Sequence, residues 1–266
     1  MGNKARVIAG GTDLMIDLRK HKLPAGTTML LDISSLAELN YIIEEGEFIR
    51  IGAGVTHAQL AASKLLKEKA LVLAEAALAL GSPQIRNRGT IGGNIVAAAP
   101  CADTAPPLVV LQAIVVLRKG NDQREVAIES FFKGPFQVNI APNELLSEIY
   151  FKKLPRDSKS AFVRLARRNA LAKSRMSLAV AARLNDEHKI EEIRISAGSV
   201  TPLPCRFKAA EAVLLGKIPA EEDLKEAAEL ISGEMIERSG FRWSTDYKKP
   251  VVEVLAVRAL KRVMGV

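Results

Sequence analysis

Two short glycine-rich stretches carry the residues best suited to binding a ligand. They are "AGGTDL" at residues 9–14 and "TIGGN" at residues 90–94, and each places adjacent glycines beside polar side chains. A glycine pair lets the backbone approach a ligand closely and can adopt positive φ, so that successive N–H groups converge on an anion. Either stretch alone is also compatible with a simple turn before a helix. Together they predict two anion-binding loops that hold a diphosphate between them.

A lone acid follows the second stretch. Asp103 lies in "PCADTAPPL", directly before Thr104 and an apolar, helix-like segment with two prolines. A carboxylate there could cap the following helix or bind ligand hydroxyls, and one carboxylate has enough oxygens for both roles. Cys101 lies close by, but a reactive role would require a lowered thiol pKa. Asp103 is therefore a candidate ligand-binding acid, with helix capping as the alternative.

The elements that position these residues follow from the apolar pattern. The opening "ARVIAGGTDLMIDLRK" predicts a strand, a tight turn and a helix that begins near Thr12, with further strands at "TTMLLDI" and "EFIRIGAGV". Helices are predicted at "THAQLAASKLL", capped by Thr56, and at "ALVLAEAALALG", ending at Gly81. A hairpin over "AIVVLRKG" and "REVAIES" and a strand at "ELLSEIYFKKLP" complete this part.

Charge, serine and proline cluster at "KKLPRDSKSA", which favours a domain boundary there. Beyond it the pattern predicts three antiparallel strands and then three helices. We therefore divide the chain into an N-terminal region over 1–155, with lobes over about 1–52 and 53–155, and a C-terminal α+β domain over 156–266.

Composition limits the classes of function. The chain has 266 residues, 48% of them hydrophobic, and neither a long apolar run nor a secretory leader, so we expect a cytoplasmic protein without a membrane span. The net charge of +8 is spread among acids, and aromatic residues make up only 5%, which argues against a nucleic-acid partner. Two distant cysteines and three scattered histidines predict no metal centre on this chain.

Beyond these local features, five stretches resemble one known family along nearly the whole chain. They are "VIAGGTDLM", "GSPQIRNRGTIGGNIVAAAPCADTAPPLVVLQA", "FVRLARRNALAKSRMSLAVAARL", "IRISAGSVTPLPCRFKAAEAVLLG" and "STDYKKPVVEVLAVRAL". They are similar to the FAD-binding medium subunits of the molybdenum hydroxylases, the family of xanthine, carbon monoxide and nicotinate dehydrogenases. The G-x-G-x-x-G dinucleotide motif is absent. Members of the family have a further strand and helix ahead of the first loop.

The resemblance implies an α+β fold and assigns site residues. It implies a two-lobed FAD-binding domain of the vanillyl-alcohol-oxidase (PCMH) type, then a smaller α+β domain with a three-stranded antiparallel sheet and a helical bundle. It implies five groups of cofactor-binding residues: the first pyrophosphate loop, the second pyrophosphate loop, the acid with its neighbour, the turn near the flavin ring, and the residues that close over the ring. In that order they are Ala9, Gly10, Gly11, Thr12, Asp13 and Leu14; Thr90, Gly92, Gly93 and Asn94; Asp103 and Thr104; Leu80 and Gly81; and Leu146, Arg164 and Arg168.

Other readings of the last group remain open, because Leu80 and Leu146 also suit the core and Arg168 also suits a surface or interface. No catalytic side chain is assigned. The resemblance implies an oxidoreductase subunit whose non-covalently bound FAD receives electrons from the [2Fe–2S] clusters of a small partner subunit. A large partner subunit would carry the molybdopterin cofactor and hydroxylate the substrate, and a soluble acceptor such as NAD would take the electrons. The alternatives are a stand-alone flavin reductase of the same fold, or a non-catalytic nucleotide-binding module.

Overall fold

The computed structural model describes residues 4–168 and 172–265. The chain opens with a small parallel pair of strands joined by a helix, in which Ile8 lies opposite Asp32. The first elements are β1 (Ala5–Ile8), α1 (Leu14–Arg19), β2 (Met29–Asp32), β3 (Ile42–Glu45) and β4 (Phe48–Gly52). The first helix thus begins at Leu14, two residues later than expected, and Asp13 occupies its N-cap position.

Short helices then lead into the middle of the chain. They are α2 (His57–Ala62), α3 (Lys64–Lys69), α4 (Leu71–Ala79), α5 (Pro83–Arg86), α6 (Ile91–Ala97) and α7 (Ala105–Val110). The segment predicted as one helix from Thr56 is divided, because Ser63 ends α2 and accepts a hydrogen bond from the Leu66 amide at the start of α3. Thr56 caps α2 as expected, in a reciprocal capping box with Gln59.

An antiparallel sheet of five strands forms the wall of the N-terminal region. The elements that follow α7 are β5 (Ile114–Lys119), β6 (Asp122–Ala127), α8 (Ile128–Phe131), β7 (Phe132–Gly134), β8 (Gln137–Val138) and β9 (Leu145–Lys152). The sheet order is β3-β4-β9-β5-β6. The β3–β4 hairpin, grouped by sequence with the first lobe, is therefore hydrogen-bonded to strands of the second. The division into domains and lobes stays a prediction.

The last hundred residues form a three-stranded antiparallel sheet and three helices, as the sequence predicts. They are β10 (Lys159–Ala166), β11 (Ser174–Leu184), β12 (Ile190–Gly198), α9 (Lys208–Leu214), α10 (Glu221–Ser239) and α11 (Thr245–Met264).

Both faces of this sheet are buried. Leu178 and Val180 of β11 face the core formed with α9–α11, whereas Ala179 and Ala181 face the core that contains α4 and α7. Because successive side chains of a strand point to opposite faces, this one sheet packs against two hydrophobic cores. The α+β fold predicted from the sequence is confirmed.

Candidate functional site

The first glycine stretch forms the connection between β1 and α1. Gly11 has a φ of +70°, a conformation that side chains with a Cβ rarely adopt. Within the described part of the chain, the backbone N–H groups of Gly10, Gly11, Thr12 and Asp13 donate to no acceptor. Gly10, Gly11 and Thr12 are half-buried and Asp13 is exposed, so these four unpaired N–H groups are available to a ligand. This loop has the character of an anion site that the sequence predicts.

Gly10 brings the two glycine stretches together. A Cβ atom built on Gly10 would lie 1.8 Å from the carbonyl oxygen of Arg88, so only glycine allows this approach. On the other side of the contact, a Cβ on Gly89 would lie 3.3 Å from the Thr12 Oγ1 atom. Because Arg88 and Gly89 directly precede Thr90, the first loop lies against the entrance to the second stretch.

The second stretch differs from the expected loop. Thr90 is the N-cap of α6, and its hydroxyl accepts a hydrogen bond from the Gly93 N–H at 3.1 Å. The Ile91 and Gly92 N–H groups donate to the carbonyl oxygens of Val55 and Ala53. Both glycines lie inside the first turn of the helix, and neither has a positive φ. The prediction of a second set of converging, unoccupied amides is wrong, because the protein itself already uses these donors.

The two glycines of α6 have different surroundings. A Cβ on Gly92 would lie 2.6 Å from the Ala53 Cβ and 2.7 Å from its carbonyl oxygen, so Gly92 allows the helix to pack on the chain near β4. Gly93 is exposed, and among the described residues, its chain neighbours and the backbone of its own helix apart, only the Thr90 Oγ1 lies within 4 Å of its Cβ position, at 2.9 Å. Gly92 therefore serves packing, and Gly93 leaves an open surface on which a ligand could lie.

Asn94 follows Gly93 and is held by Thr104. The Thr104 hydroxyl donates to the Asn94 Oδ1 at 2.6 Å, which links α6 to the start of α7. Thr104, and not Asp103, is the N-cap residue of α7, and its side chain makes no capping bond. The alternative in which Asp103 caps this helix is wrong, since the helix begins one residue later than that role requires.

Asp103 lies between the N-terminal region and the C-terminal sheet. Its Oδ2 atom accepts hydrogen bonds from the Ser174 hydroxyl at 2.8 Å and from the Arg164 guanidinium at 3.3 Å. Its Oδ1 atom is buried and has no hydrogen-bond partner. Burial raises the pKa of this carboxyl, and the hydroxyl of Ser174, the charge of Arg164 and the nearby hydroxyl of Ser177 oppose that rise. A carboxylate with one oxygen used and one unpaired fits a ligand hydroxyl.

The remaining predicted residues lie in three different environments. Leu80 and Gly81 are half-buried at the end of α4, where Gly81 has a φ of +53° and the Arg86 guanidinium donates to the Leu80 carbonyl. Leu146 is buried in β9 among the core residues of the five-stranded sheet, which favours the core alternative. Arg168 is exposed at the end of the first described range, next to residues 169–171, which lie outside the described residues.

Sequence reasoning missed two neighbours of the site. Ser174 carries no motif that marks it. It begins β11, and the packing of α7 on the C-terminal sheet brings its hydroxyl to Asp103. His57 also carries no motif, and it is buried against the segment that joins the loops: its backbone N–H donates to the Gly89 carbonyl, and its ring Nδ1 has no partner among the described residues. Burial, aided by the Arg86 charge, lowers the His57 pKa to about 4, so the ring is neutral near pH 7.

Within residues 4–168 and 172–265, no cluster of three or more His, Cys, Asp or Glu side chains is arranged to hold a metal ion. No helix in these ranges is long and apolar enough to cross a membrane. Cys101, near Asp103, is half-buried, and burial raises the pKa of its thiol, which gives it no activated thiolate.

Amides on a glycine loop, an open glycine surface and an unpaired carboxylate oxygen have the chemistry that a nucleotide cofactor of a flavoprotein requires. Comparison with known families agrees. Residues 1–154 match the model for the FAD binding domain in molybdopterin dehydrogenase, and residues 161–263 match the CO dehydrogenase flavoprotein C-terminal domain. The chain belongs to this family of FAD-binding oxidoreductase subunits, which confirms the resemblance stated from the sequence.

Similar proteins span almost the whole chain. The glyceraldehyde dehydrogenase medium chain of Sulfolobus acidocaldarius is 32% identical over 264 residues, which cover 98% of this chain and 91% of that one. The nicotinate dehydrogenase FAD-subunit of Eubacterium barkeri is 32% identical over 93% of this chain and 84% of its own length. A carbon monoxide dehydrogenase structure from Hydrogenophaga pseudoflava superposes with a TM-score of 0.91 at 30% identity, covering 99% of this chain and 91% of that one.

The residues present fit FAD. The cofactor has a diphosphate, which needs N–H donors, and the Gly10–Asp13 amides supply four that are otherwise unused. It also has ribose and ribityl hydroxyls, which need acceptors, and the Asp103 Oδ1 is a buried acceptor without a donor. The donor set is thus chemically complementary to the cofactor that the family binds.

Proposed function

We propose that this chain is the electron-transfer subunit of a molybdopterin-dependent dehydrogenase complex. One observation carries the proposal: both parts of the chain match the flavoprotein component of such enzymes, and similar proteins are named as medium chains or FAD subunits. In this complex a small partner subunit with [2Fe–2S] clusters donates electrons. A large subunit with the molybdenum cofactor oxidises the substrate, and a soluble acceptor such as NAD takes the electrons.

Residues of both glycine stretches, together with Asp103, bind the cofactor. The amides of the loop from Ala9 to Leu14 donate to the diphosphate, and the exposed Gly93 lets it lie close to α6. Asn94 contributes its side-chain amide, and the Asp103 Oδ1 accepts a hydrogen bond from a ribityl or ribose hydroxyl. The bound FAD supplies a redox centre that links one-electron donors to two-electron acceptors.

The flavin ring lies towards the end of α4, beside Leu80 and Gly81. Arg164, on the C-terminal sheet, positions the Asp103 carboxylate. This ion pair reduces the negative charge of Asp103 near the flavin ring. Arg168, at the exposed end of the same segment, is the other arginine that we assign to the surroundings of the ring. Leu146 is buried in the core beside the five-stranded sheet, and we assign it to packing rather than to the cofactor.

The test uses the whole chain reconstituted with FAD. We expect a yellow protein whose flavin is released by acid and is reduced by an artificial donor, with no oxidation of purines, nicotinate or aldehydes. Substrate-dependent reduction of an acceptor should require the molybdenum and iron–sulfur subunits. Gly93→Val, which places a branched side chain on the open surface of α6, is the FAD-deficient control.

Two outcomes would contradict the proposal. Substrate-dependent reduction of an acceptor by the pure chain, free of molybdenum and iron, would establish a stand-alone flavin reductase. A bound flavin that the partner subunits never reduce would establish a non-catalytic nucleotide-binding module.

A further inference from the structure

The hydroxyl of Thr104 does not cap the helix that begins directly after this residue. A threonine at a helix N-cap ordinarily accepts a hydrogen bond from a backbone N–H in the first turn. Thr104 makes no such bond at the start of α7, and its hydroxyl instead donates to the Asn94 Oδ1 at 2.6 Å. Thr104 is 0% exposed, so its proton has no water to turn to.

This bond fixes which way round the Asn94 amide lies. The oxygen and nitrogen of an asparagine amide are nearly equal in size and opposite in hydrogen-bonding character. If the amide turned over, its NH₂ group would face the Thr104 hydroxyl, and the buried hydroxyl proton would lose its acceptor. An unpaired buried donor is costly, so Thr104 holds the Asn94 oxygen inward and its NH₂ group away from α7.

The NH₂ group of Asn94 is left for a ligand. The Asn94 Nδ2 has no acceptor among the described residues and is not among the buried unpaired atoms. Asn94 directly follows the exposed Gly93, on the helix whose entrance lies against the Gly10 loop. An anion on this surface meets an N–H donor in the observed orientation and would meet a carbonyl oxygen in the other.

We propose that Thr104 is a positioning residue for cofactor binding, which acts through Asn94 by orienting its amide nitrogen towards a phosphate of FAD. The inference rests on the proposed role of Asn94 in the FAD site. Thr104 itself does not touch the cofactor.

The experiment is a double-mutant cycle on the full chain, with the FAD dissociation constant measured by flavin fluorescence and folding checked by thermal unfolding. We expect Thr104→Val to raise the Kd by about tenfold, the effect of one correctly oriented hydrogen bond. Thr104→Ser keeps the hydroxyl and should restore binding. In an Asn94→Ala background, Thr104→Val should have no further effect, because the group that it orients is gone.

Asn94→Asp gives a second, independent measurement. It keeps an oxygen for Thr104 but replaces the NH₂ group with an oxygen, so FAD should bind at least as weakly as to Asn94→Ala. Unchanged Kd in Thr104→Val, a full additional loss in the Asn94→Ala background, or wild-type binding by Asn94→Asp would each overturn the inference. Failure of the wild-type chain to bind FAD would instead contradict the proposed function.

Discussion

Replacing Asp103 with asparagine tests the centre of the proposed site. In the structure the Oδ2 atom accepts from Ser174 and Arg164, and the Oδ1 atom is buried without a partner. Because the Ser174 hydroxyl and the Arg164 guanidinium both donate to the Oδ2 atom, the amide oxygen of Asp103→Asn would take the Oδ2 position. Its NH₂ group would then replace the Oδ1 atom, so a charged acceptor becomes a neutral donor facing the FAD hydroxyl.

The magnitude follows from the charge of the lost acceptor. A hydrogen bond to a charged group contributes about 1.5–3 kcal/mol, which corresponds to a factor of roughly 10 to 150 in Kd. We expect Asp103→Asn to weaken FAD binding within this range in a flavin-fluorescence titration. Asp122→Asn, the same chemical change at an exposed position on β6, is the matched control and should leave the Kd unchanged.

The pH dependence gives the same reasoning a second test. Burial raises the pKa of Asp103 above its ordinary value, so the free protein takes up a proton as pH falls through that raised pKa. Protonation removes the charged acceptor, and FAD affinity should therefore fall on the acid side in the wild type but not in Asp103→Asn. The folding stability of the FAD-free chain should change in the opposite direction. It should fall as pH rises through the raised pKa, because ionising a buried carboxyl costs stability. A variant that binds FAD within about twofold of wild type, with the same pH profile, would refute the assignment.

Three further substitutions separate binding from packing. Gly93→Ala should fold normally and lower FAD affinity, seen in the same titration, because its Cβ would occupy the open surface and crowd the Thr90 hydroxyl. Gly92→Ala should lower the free energy of unfolding by about 1–3 kcal/mol in urea denaturation, because its Cβ would collide with Ala53; equal stability would contradict the packing role. Leu146→Ala should cost about 2–5 kcal/mol of stability in the same assay without changing the Kd of the folded fraction, whereas a change in Kd would place Leu146 at the flavin.

Periodicity and turn chemistry were sufficient for much of the fold. The alternation along β11 and β12 and the Thr56 cap are local signals, and the structure contains the predicted sheet and helix start. The hydrogen bonding of the β3–β4 hairpin to the sheet of the second lobe has no such local signal. It depends on pairing β4 with β9, about a hundred positions later, which no local pattern contains.

The site shows the same division between local and distant information. The first glycine loop was predictable, because a positive φ at Gly11 requires the residue type that the sequence shows. In the second stretch the glycines looked alike, yet their roles depend on Ala53 and Val55, whose carbonyls occupy the amides of α6. Ser174 reaches Asp103 across 71 positions of sequence, through the packing of α7 on the C-terminal sheet, so sequence spacing could not identify it.

The sheet that is buried on both faces has a consequence for how the polypeptide can be divided. Family boundaries separate residues 1–154 from 161–263, but Phe162, Ala179 and Ala181 complete the hydrophobic core of the first part. A fragment that ends at the family boundary would expose the apolar sides of α4 and α7 to water and would tend to aggregate. The unit that folds is thus larger than either family match, and heterologous expression or domain exchange should keep β10–β12 with the N-terminal region.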